Sequence, residues 1–132
     1  MGFKQATTMI GNAASFEQVP ATAGESYAVG EALVLTDGAA TKCGATVTPE
    51  FICQQRLSGA KAGDLLAVTR VNELQELETT LAVAGTALKI GDKVTLHTDG
   101  EAVTATTTAG VFMLSQILDT AAGGRVRGYF RR

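Results

Sequence analysis

A phrase that occurs twice constrains the fold of this chain more than any other feature. The run GEALVLTDG at residues 30–38 returns as GDKVTLHTDG at residues 91–100, with His97 as the one extra residue. The phrase begins at an offset of 61 residues, and at this same offset FICQQRL at 51–57 falls on FMLSQIL at 112–118. Agreement of Gly, Leu, Thr-Asp-Gly and Phe in one register indicates an internal duplication.

The repeat predicts how the domain is organised. Its two copies are residues 30–71 and 91–132, and together they make one β domain over residues 29–132. Neither copy, at roughly 40 residues, buries enough apolar surface to fold alone. Residues 1–28 lie outside the repeat and have no periodicity, so we predict an extended N-terminal arm that becomes ordered only against a partner.

The local composition predicts β-structure. Short runs such as KVTLHT and AVTATTT are rich in β-branched residues, which favour strands. Two Asp-Gly pairs each separate two such runs, and Asp-Gly is a strong turn signal because glycine accepts a positive φ at low cost. We therefore predict an all-β fold, a compact barrel or sandwich of two pseudo-repeated units, with turn roles for Asp37, Gly38, Asp99 and Gly100.

Residues 71–83 are ambiguous. In VNELQELETTL the spacing of Leu74 and Leu77 is compatible with a helix. Alternation along a strand would instead place four residues on one face: Leu77, Thr79, Leu81 and Val83. The strand is slightly favoured.

Composition and charge exclude several classes of function. The net charge of −2 provides no basic field for nucleic acid. No apolar run approaches the roughly 18 residues of a membrane span, and the first residues lack the apolar segment of a secretory signal. A disulfide between Cys43 and Cys53 stays open, but two buried free thiols are favoured in a reducing cell.

No set of residues points to catalysis, a cofactor or a metal. His97 is the single histidine, and Asp99 is only its sequence neighbour, so we interpret it as a surface residue. Neither a phosphate-binding loop nor a nucleophile elbow occurs. We therefore expect no enzyme activity, no catalytic, cofactor-binding or metal residues, and no cofactor.

Both ends of the chain carry candidate contact residues. Four apolar residues of the N-terminal arm have no periodic partner and would be exposed in a free monomer: Phe3, Met9, Ile10 and Phe16. At the other end, GGRVRGYFRR is locally basic. It is interpreted as a solvated strand end, with contact to an acidic partner surface as the alternative.

The second half of the chain resembles a known protein family. The run AGTALKIGDKVTLHTDGEAVTATTTAGVFMLSQILDTAAGGRVRGYF is similar to the C-terminal half of small tailed-bacteriophage capsid decoration, or cement, proteins. The shared pattern is a G-D-x-V strand, a D-G turn, a Thr/Ala-rich stretch, an apolar strand, A-A-G-G and a final V-R strand. It falls on Gly91, Asp92, Val94, Asp99, Gly100, Ala121 to Gly124, Val126 and Arg127.

This resemblance, which extends over about residues 30–132, implies a head-stabilising protein. Such proteins are β-rich knobs on the outer surface of the virion capsid, made in the host cytoplasm and commonly trimeric. They clamp neighbouring major capsid protein subunits. The expected partners are therefore the major capsid protein and further copies of this chain. The apolar faces of residues 65–71 and 111–118 also favour a homo-oligomer.

Two other functions are weighed. Biotinyl and lipoyl carrier domains share a pseudo-twofold β-sandwich, but Lys89 lacks the hairpin turn that presents their lysine. A fibre or adhesin-type binding module is the second alternative, and the absence of Trp argues against sugar stacking.

Overall fold

The computed structural model describes residues 2–8 and 16–130. Within those ranges the chain forms ten strands and no helix, which confirms the predicted all-β class. Accordingly, that part of the chain contains no helix that could cross a membrane. The strands are β1 (Lys4–Thr8), β2 (Phe16–Pro20), β3 (Ala32–Thr36), β4 (Ala39–Lys42), β5 (Phe51–Cys53), β6 (Leu65–Arg70), β7 (Gln75–Thr80), β8 (Lys93–Val94), β9 (Phe112–Ile117) and β10 (Arg125–Phe130).

These strands form two five-stranded antiparallel sheets. Sheet A has the order β1-β7-β10-β9-β8, and sheet B has the order β2-β6-β5-β3-β4. The run β7-β10-β9-β8 in sheet A has its counterpart in the run β2-β6-β5-β3 in sheet B. Phe51 begins β5 and Phe112 begins β9, so two residues 61 apart occupy corresponding places in the two sheets.

Four tight turns with glycine at the third position each precede a strand, and in three of them an acidic residue follows the glycine. The turns precede β3, β6, β8 and β10, and in each the fourth residue donates its N–H to the carbonyl of the first at 2.8–3.3 Å. The third residue has a φ between 83° and 95°. A type II turn requires this conformation, which only glycine adopts without strain. The four glycines are Gly30, Gly63, Gly91 and Gly123.

Both Asp-Gly pairs lie in turns. Asp37 and Gly38 have φ values of 52° and 81° and form the two-residue loop of the β3–β4 hairpin. Two consecutive positive φ values are the mark of a type I′ turn. Asp99 and Gly100 lie in a wider loop, in which the backbone carbonyl of His97 accepts the N–H of Gly100 at 3.0 Å.

The main core lies between the sheets. Ala32 and Ile52 of sheet B belong to the same buried cluster as the apolar residues of sheet A. At its centre three aromatic rings pack with centroid separations of 5.0–5.4 Å: Phe3, Phe112 and Phe130. We call these rings the aromatic trio. Backbone hydrogen bonds also link the sheets' connections, including Ala32 N–H to the Gly100 carbonyl at 2.8 Å.

A second core lies on the other face of sheet B. Leu33, Phe51 and Leu66 are buried there. Tyr27 and Ala60, from loops, cover them, and the Tyr27 hydroxyl donates to the Ala40 carbonyl at 2.7 Å. The central strands β3 and β5 of sheet B therefore have buried residues on both faces, which is why their sequences do not alternate cleanly between apolar and polar residues.

The prediction that Phe3 is exposed in the free chain is wrong. Phe3 is 2% exposed, because it fills the space beside Phe112 and Phe130. In addition, β1 pairs with β7 and β2 pairs with β6. The described N-terminal residues are thus ordered against the chain's own sheets, which corrects the expectation that they need a partner.

The ambiguous segment contains a strand. Gln75–Thr80 is β7, the second strand of sheet A, and Leu77, Thr79 and Leu81 are buried as the strand alternation predicts. Val83 lies beyond the strand and is 46% exposed. The helical alternative is therefore excluded.

Truncation of Phe3 tests the importance of the aromatic trio. We expect Phe3→Ala to lower the free energy of unfolding by about 3–5 kcal/mol, because it removes a buried ring and leaves a cavity. Phe16→Ala is the matched control: Phe16 is 73% exposed, and its loss should change stability by less than about 0.5 kcal/mol. Urea denaturation of both variants gives the comparison, and equal losses would contradict the described packing.

A glycine pair separates backbone strain from close contact. Gly30 and Gly63 have φ values of 90° and 89°, but a Cβ at position 30 would lie 2.6 Å from the Gly2 Cα, whereas one at position 63 meets nothing within 4 Å. Gly63→Ala should cost about 1–2 kcal/mol from the left-handed conformation alone. Gly30→Ala should cost roughly 1–3 kcal/mol more. Thermal unfolding of the two variants measures this difference, and similar losses would mean that Gly2 does not pack on Gly30.

Candidate functional site

A cleft between the two sheets includes residues of edge strands β1 and β2. Its volume is about 290 Å³. Phe3, Ile52 and Leu77 are its buried apolar residues, whereas Phe16 and Val29 are 73% and 55% exposed. We call it the inter-sheet cleft. The rest of its lining is polar: Lys4, Gln5, Gln54, Thr69 and Gln75.

Two side-chain hydrogen bonds organise the polar lining of the inter-sheet cleft. Gln75 Nε2 donates to Gln5 Oε1 at 3.1 Å, and Gln54 Nε2 donates to Thr69 Oγ1 at 3.1 Å. The amide oxygen of Gln75 is buried and, unlike the amide nitrogen, has no hydrogen-bond partner. An unmet acceptor is energetically costly in a protein interior. The cleft therefore combines an apolar base with an incompletely satisfied polar wall.

Two of the contact residues predicted from the sequence differ in how far they are exposed. Phe3 and Phe16 both line the inter-sheet cleft, although they are 13 positions apart in sequence. Phe3 forms part of its buried base and only Phe16 is on the accessible surface. Met9 and Ile10 lie outside the described residues.

A buried carboxylate organises the outward side of sheet A. Glu78 is 2% exposed, and its Oε1 accepts a hydrogen bond from Arg127 Nε at 3.0 Å. Its Oε2 accepts no well-aligned hydrogen bond but lies 3.2 Å from Lys4 Nζ and 3.8 Å from Arg125 Nη1. The Arg127 hydrogen bond and the two other cations lower the pKa of Glu78 in spite of its burial.

A second buried carboxylate, Glu31, has a pKa shifted in the opposite direction, because its burial is offset by fewer cations. Glu31 is 1% exposed, and its nearest cation, Lys42, has Nζ 3.5 Å from Oε2. Its other oxygen has no hydrogen-bond partner. Burial raises the pKa of Glu31, the nearby Glu101 and Glu25 raise it further, and Lys42 only partly opposes them.

Neither carboxylate was predicted from the sequence. Glu31 falls on Asp92 in the repeat, yet Asp92 is partly exposed and its carboxylate accepts the Lys89 N–H at 2.9 Å. Glu31 is instead directed toward the second unit, where a Cβ on Gly100 would lie 3.2 Å from its Cγ. Glu78 lies in a strand whose alternation was noted only for its apolar face. The available signal was the spacing of Glu76 and Glu78, because residues two apart on a strand point to the same face of the sheet.

His97 and Asp99 are closer than their interpretation as mere sequence neighbours implied. His97 Nδ1 lies 3.2 Å from Asp99 Oδ1, and both side chains are partly exposed. Burial opposes ionisation of Asp99, but the Glu101 N–H and His97 outweigh it and lower its pKa. Because Asp99 Oδ1 also accepts the Glu101 N–H at 2.8 Å, the pair holds the turn at residues 97–101.

Both cysteines are free thiols in the interior. Cys43 Sγ contacts the Val47 carbonyl at 2.9 Å, and Cys53 Sγ contacts the Gln55 carbonyl at 3.0 Å. Burial raises the pKa of Cys43 to about 12 and also raises the pKa of Cys53. Both are therefore protonated at neutral pH, and a protonated thiol is a weak nucleophile.

Comparison with known proteins identifies no family for this chain. No protein-family model matches the chain, and no curated protein matches it significantly.

In residues 2–8 and 16–130, no group of three or more His, Cys, Asp or Glu side chains is arranged to hold a metal ion.

The Glu78 carboxylate should make stability depend on pH. Because its pKa is lowered from the usual 4.5, its ionised form stabilises the fold fully above that value, and this contribution is lost as the pH falls through the folded-state pKa. We expect Glu78→Gln to lower the unfolding free energy at neutral pH by roughly 1–3 kcal/mol. The difference in unfolding free energy between Glu78→Gln and the parent protein should become smaller in acid, where the parent carboxylate is protonated.

The exposed pair of Glu17 and Arg70 is the control. Glu17 accepts two hydrogen bonds from Arg70, at 2.9 and 3.0 Å, but its side chain is 39% exposed. Glu17→Gln should therefore cost less than Glu78→Gln. Urea denaturation as a function of pH measures both, and a loss for Glu78→Gln that is unchanged in acid would contradict the ion-pair interpretation.

Proposed function

We propose that this protein is a structural virion protein of a tailed bacteriophage. It binds the outer surface of the assembled capsid and stabilises it by clamping neighbouring major capsid protein subunits. The resemblance in sequence supports this proposal, and its motifs have structural roles: Gly91-Asp92 ends the turn before β8, and Ala121–Gly124 is the turn before β10.

The observation that carries the proposal is the exposure of Phe16 beside the inter-sheet cleft. Phe16 is the most exposed large apolar residue among those described, at 73%. It lies on β2, an edge strand, and β1 is an edge strand of the other sheet. Edge strands offer unpaired backbone groups to an extended partner segment, and an adjacent cleft can accept its side chains.

We further propose that the domain is a pair of duplicated β units that curl toward closed barrels. In sheet B, Ala21 after β2 forms a parallel bridge with Ala40 of β4. In the other unit, Val103 bridges both Leu81 and Leu96. The corresponding strand orders support equivalence of residues 30–71 and 91–132. The sheet B bridge lies beyond the Pro20 end of β2, so closure there would leave β1 and the Phe16 end of β2 available to a partner.

A clamp requires that contacts at several points act together. The inter-sheet cleft has one wall from each sheet, and the core that joins the sheets makes both walls parts of one packed unit. We propose that the chain acts as a homo-oligomer, and the resemblance to decoration proteins implies a trimer. Leu65 and Leu118, at 51% and 47% exposure, are the apolar residues available to neighbouring copies. Several copies would convert modest contacts into avidity.

Binding to purified expanded shells tests the proposal. Phe16→Glu should weaken co-sedimentation with shells at least about tenfold, because it places a charge in an apolar contact. Ile90→Glu is the matched control, since Ile90 is 69% exposed and lies in the turn before β8. Both variants should unfold like the parent.

The possible outcomes distinguish the proposed decoration function from the proposed role of Phe16 in it. If the unmodified protein fails to bind shells, the decoration function is wrong. If it binds and the two variants bind equally well, the function stands but Phe16 is not the contact.

A further inference from the structure

The outward side of sheet A carries a concentrated set of charges. Lys4 of β1 and Arg127 of β10 are both cross-strand partners of Glu78 on β7. Met113 of β9 is the partner of both Tyr129 on β10 and Lys93 on β8. Cross-strand partners, and residues two apart on one strand, point to the same side. We call this side the basic face and define it by its charged residues Lys4, Glu76, Glu78, Lys93, Arg125 and Arg127.

The basic face is opposite to the core. Leu77, Val126 and Phe130 alternate with its residues along β7 and β10, and all three belong to the cluster between the sheets. Lys4 and Arg125 side chains are 58% and 60% exposed. The face is therefore on the surface of the chain, with Met113 and the aromatic ring of Tyr129 half-buried among the charges.

Charges on the basic face do not balance. It has four cations against two carboxylates, an excess of two positive charges, whereas the whole chain has a net charge of −2. The carboxylates are buried, since Glu76 and Glu78 are 6% and 2% exposed. A partner would therefore meet the cations, with the negative charge beneath them.

Glu78 also holds three of these four cations in place, all except Lys93. The hydrogen bond from Arg127 uses one of the five N–H groups of its guanidinium and limits the side chain's motion. Lys4 and Arg125 approach the same carboxylate from either side. Cations that are already ordered lose less conformational entropy when they bind, so the arrangement favours binding of anions.

We propose that the basic face is a docking surface for an acidic protein surface. Charge complementarity carries the inference, and the apolar Met113 together with the net negative charge of the chain favours a protein over nucleic acid. The inference relies on the proposed function only for the partner's identity, which would then be an acidic region of the capsid shell.

Binding of fluorescently labelled poly-L-glutamate to the full-length protein tests the inference without shells. We expect saturable binding at low ionic strength that weakens as salt is added. The double variant Lys93→Gln/Arg125→Gln should bind roughly tenfold more weakly. The single variant Lys93→Gln, which leaves the ion pairs of Glu78 intact, should show a smaller loss in the same direction.

The matched control removes two exposed lysines elsewhere. Lys61→Gln/Lys89→Gln changes the net charge equally, and both residues lie in turns outside the basic face. This variant should bind poly-L-glutamate like the parent. Equal losses in the two double variants, or no binding by the parent, would overturn the inference.

A second probe tests the competing class of partner. If short double-stranded DNA binds the parent as tightly as poly-L-glutamate, the surface recognises anionic polymers generally and the proposal is wrong. If poly-L-glutamate binds as expected but capsid shells do not, the proposed decoration function fails while the acidic-surface inference stands.

Discussion

The packing of Phe3 against Phe112 and Phe130 is the contact on which the rest of this structure depends. It anchors the N-terminal residues in the core between the sheets, and the Phe3 N–H donates to the Gly30 carbonyl at 2.8 Å. Gly2 and Gly30 pack so closely there that neither position can accept a Cβ without a clash. With Phe3 in place, β1 becomes the edge of sheet A and the inter-sheet cleft has its base.

Two buried glutamates show how neighbouring cations decide the state of a carboxyl group. Glu78 has three cations within 3.8 Å, which outweigh burial and lower its pKa. Glu31 has one cation, at 3.5 Å, and two carboxylates nearby, so burial dominates and its pKa is raised. The first glutamate therefore stabilises the fold at neutral pH. The second disfavours folding as it ionises, because its charged form is poorly compensated.

Much of the fold could be predicted because its signals are local. The all-β class and the strand at residues 75–80 are confirmed, and both follow from alternation and β-branched composition. The candidate site was less predictable. Phe3 and Phe16 were recognised as unpartnered apolar residues, but only one of them is exposed. The cation cluster around Glu78 was missed, since it joins β1, β7 and β10, which are far apart in sequence.

The sequence by itself determined where the chain turns at Gly30 and Gly38 and that residues 75–80 extend, because φ at a glycine turn and alternation along a strand depend on neighbouring residues. It did not determine every strand: the β-branched run AVTATTT at residues 102–108 forms no strand and makes only isolated bridges at Val103. Only the tertiary structure decided which side chains are buried. Phe3 meets Phe112 more than 100 positions later, and Glu31 and Asp92 occupy matching places in the repeat but have different surroundings. Burial and charge depend on contacts across the fold, and these are set by how two sheets pack rather than by any local pattern.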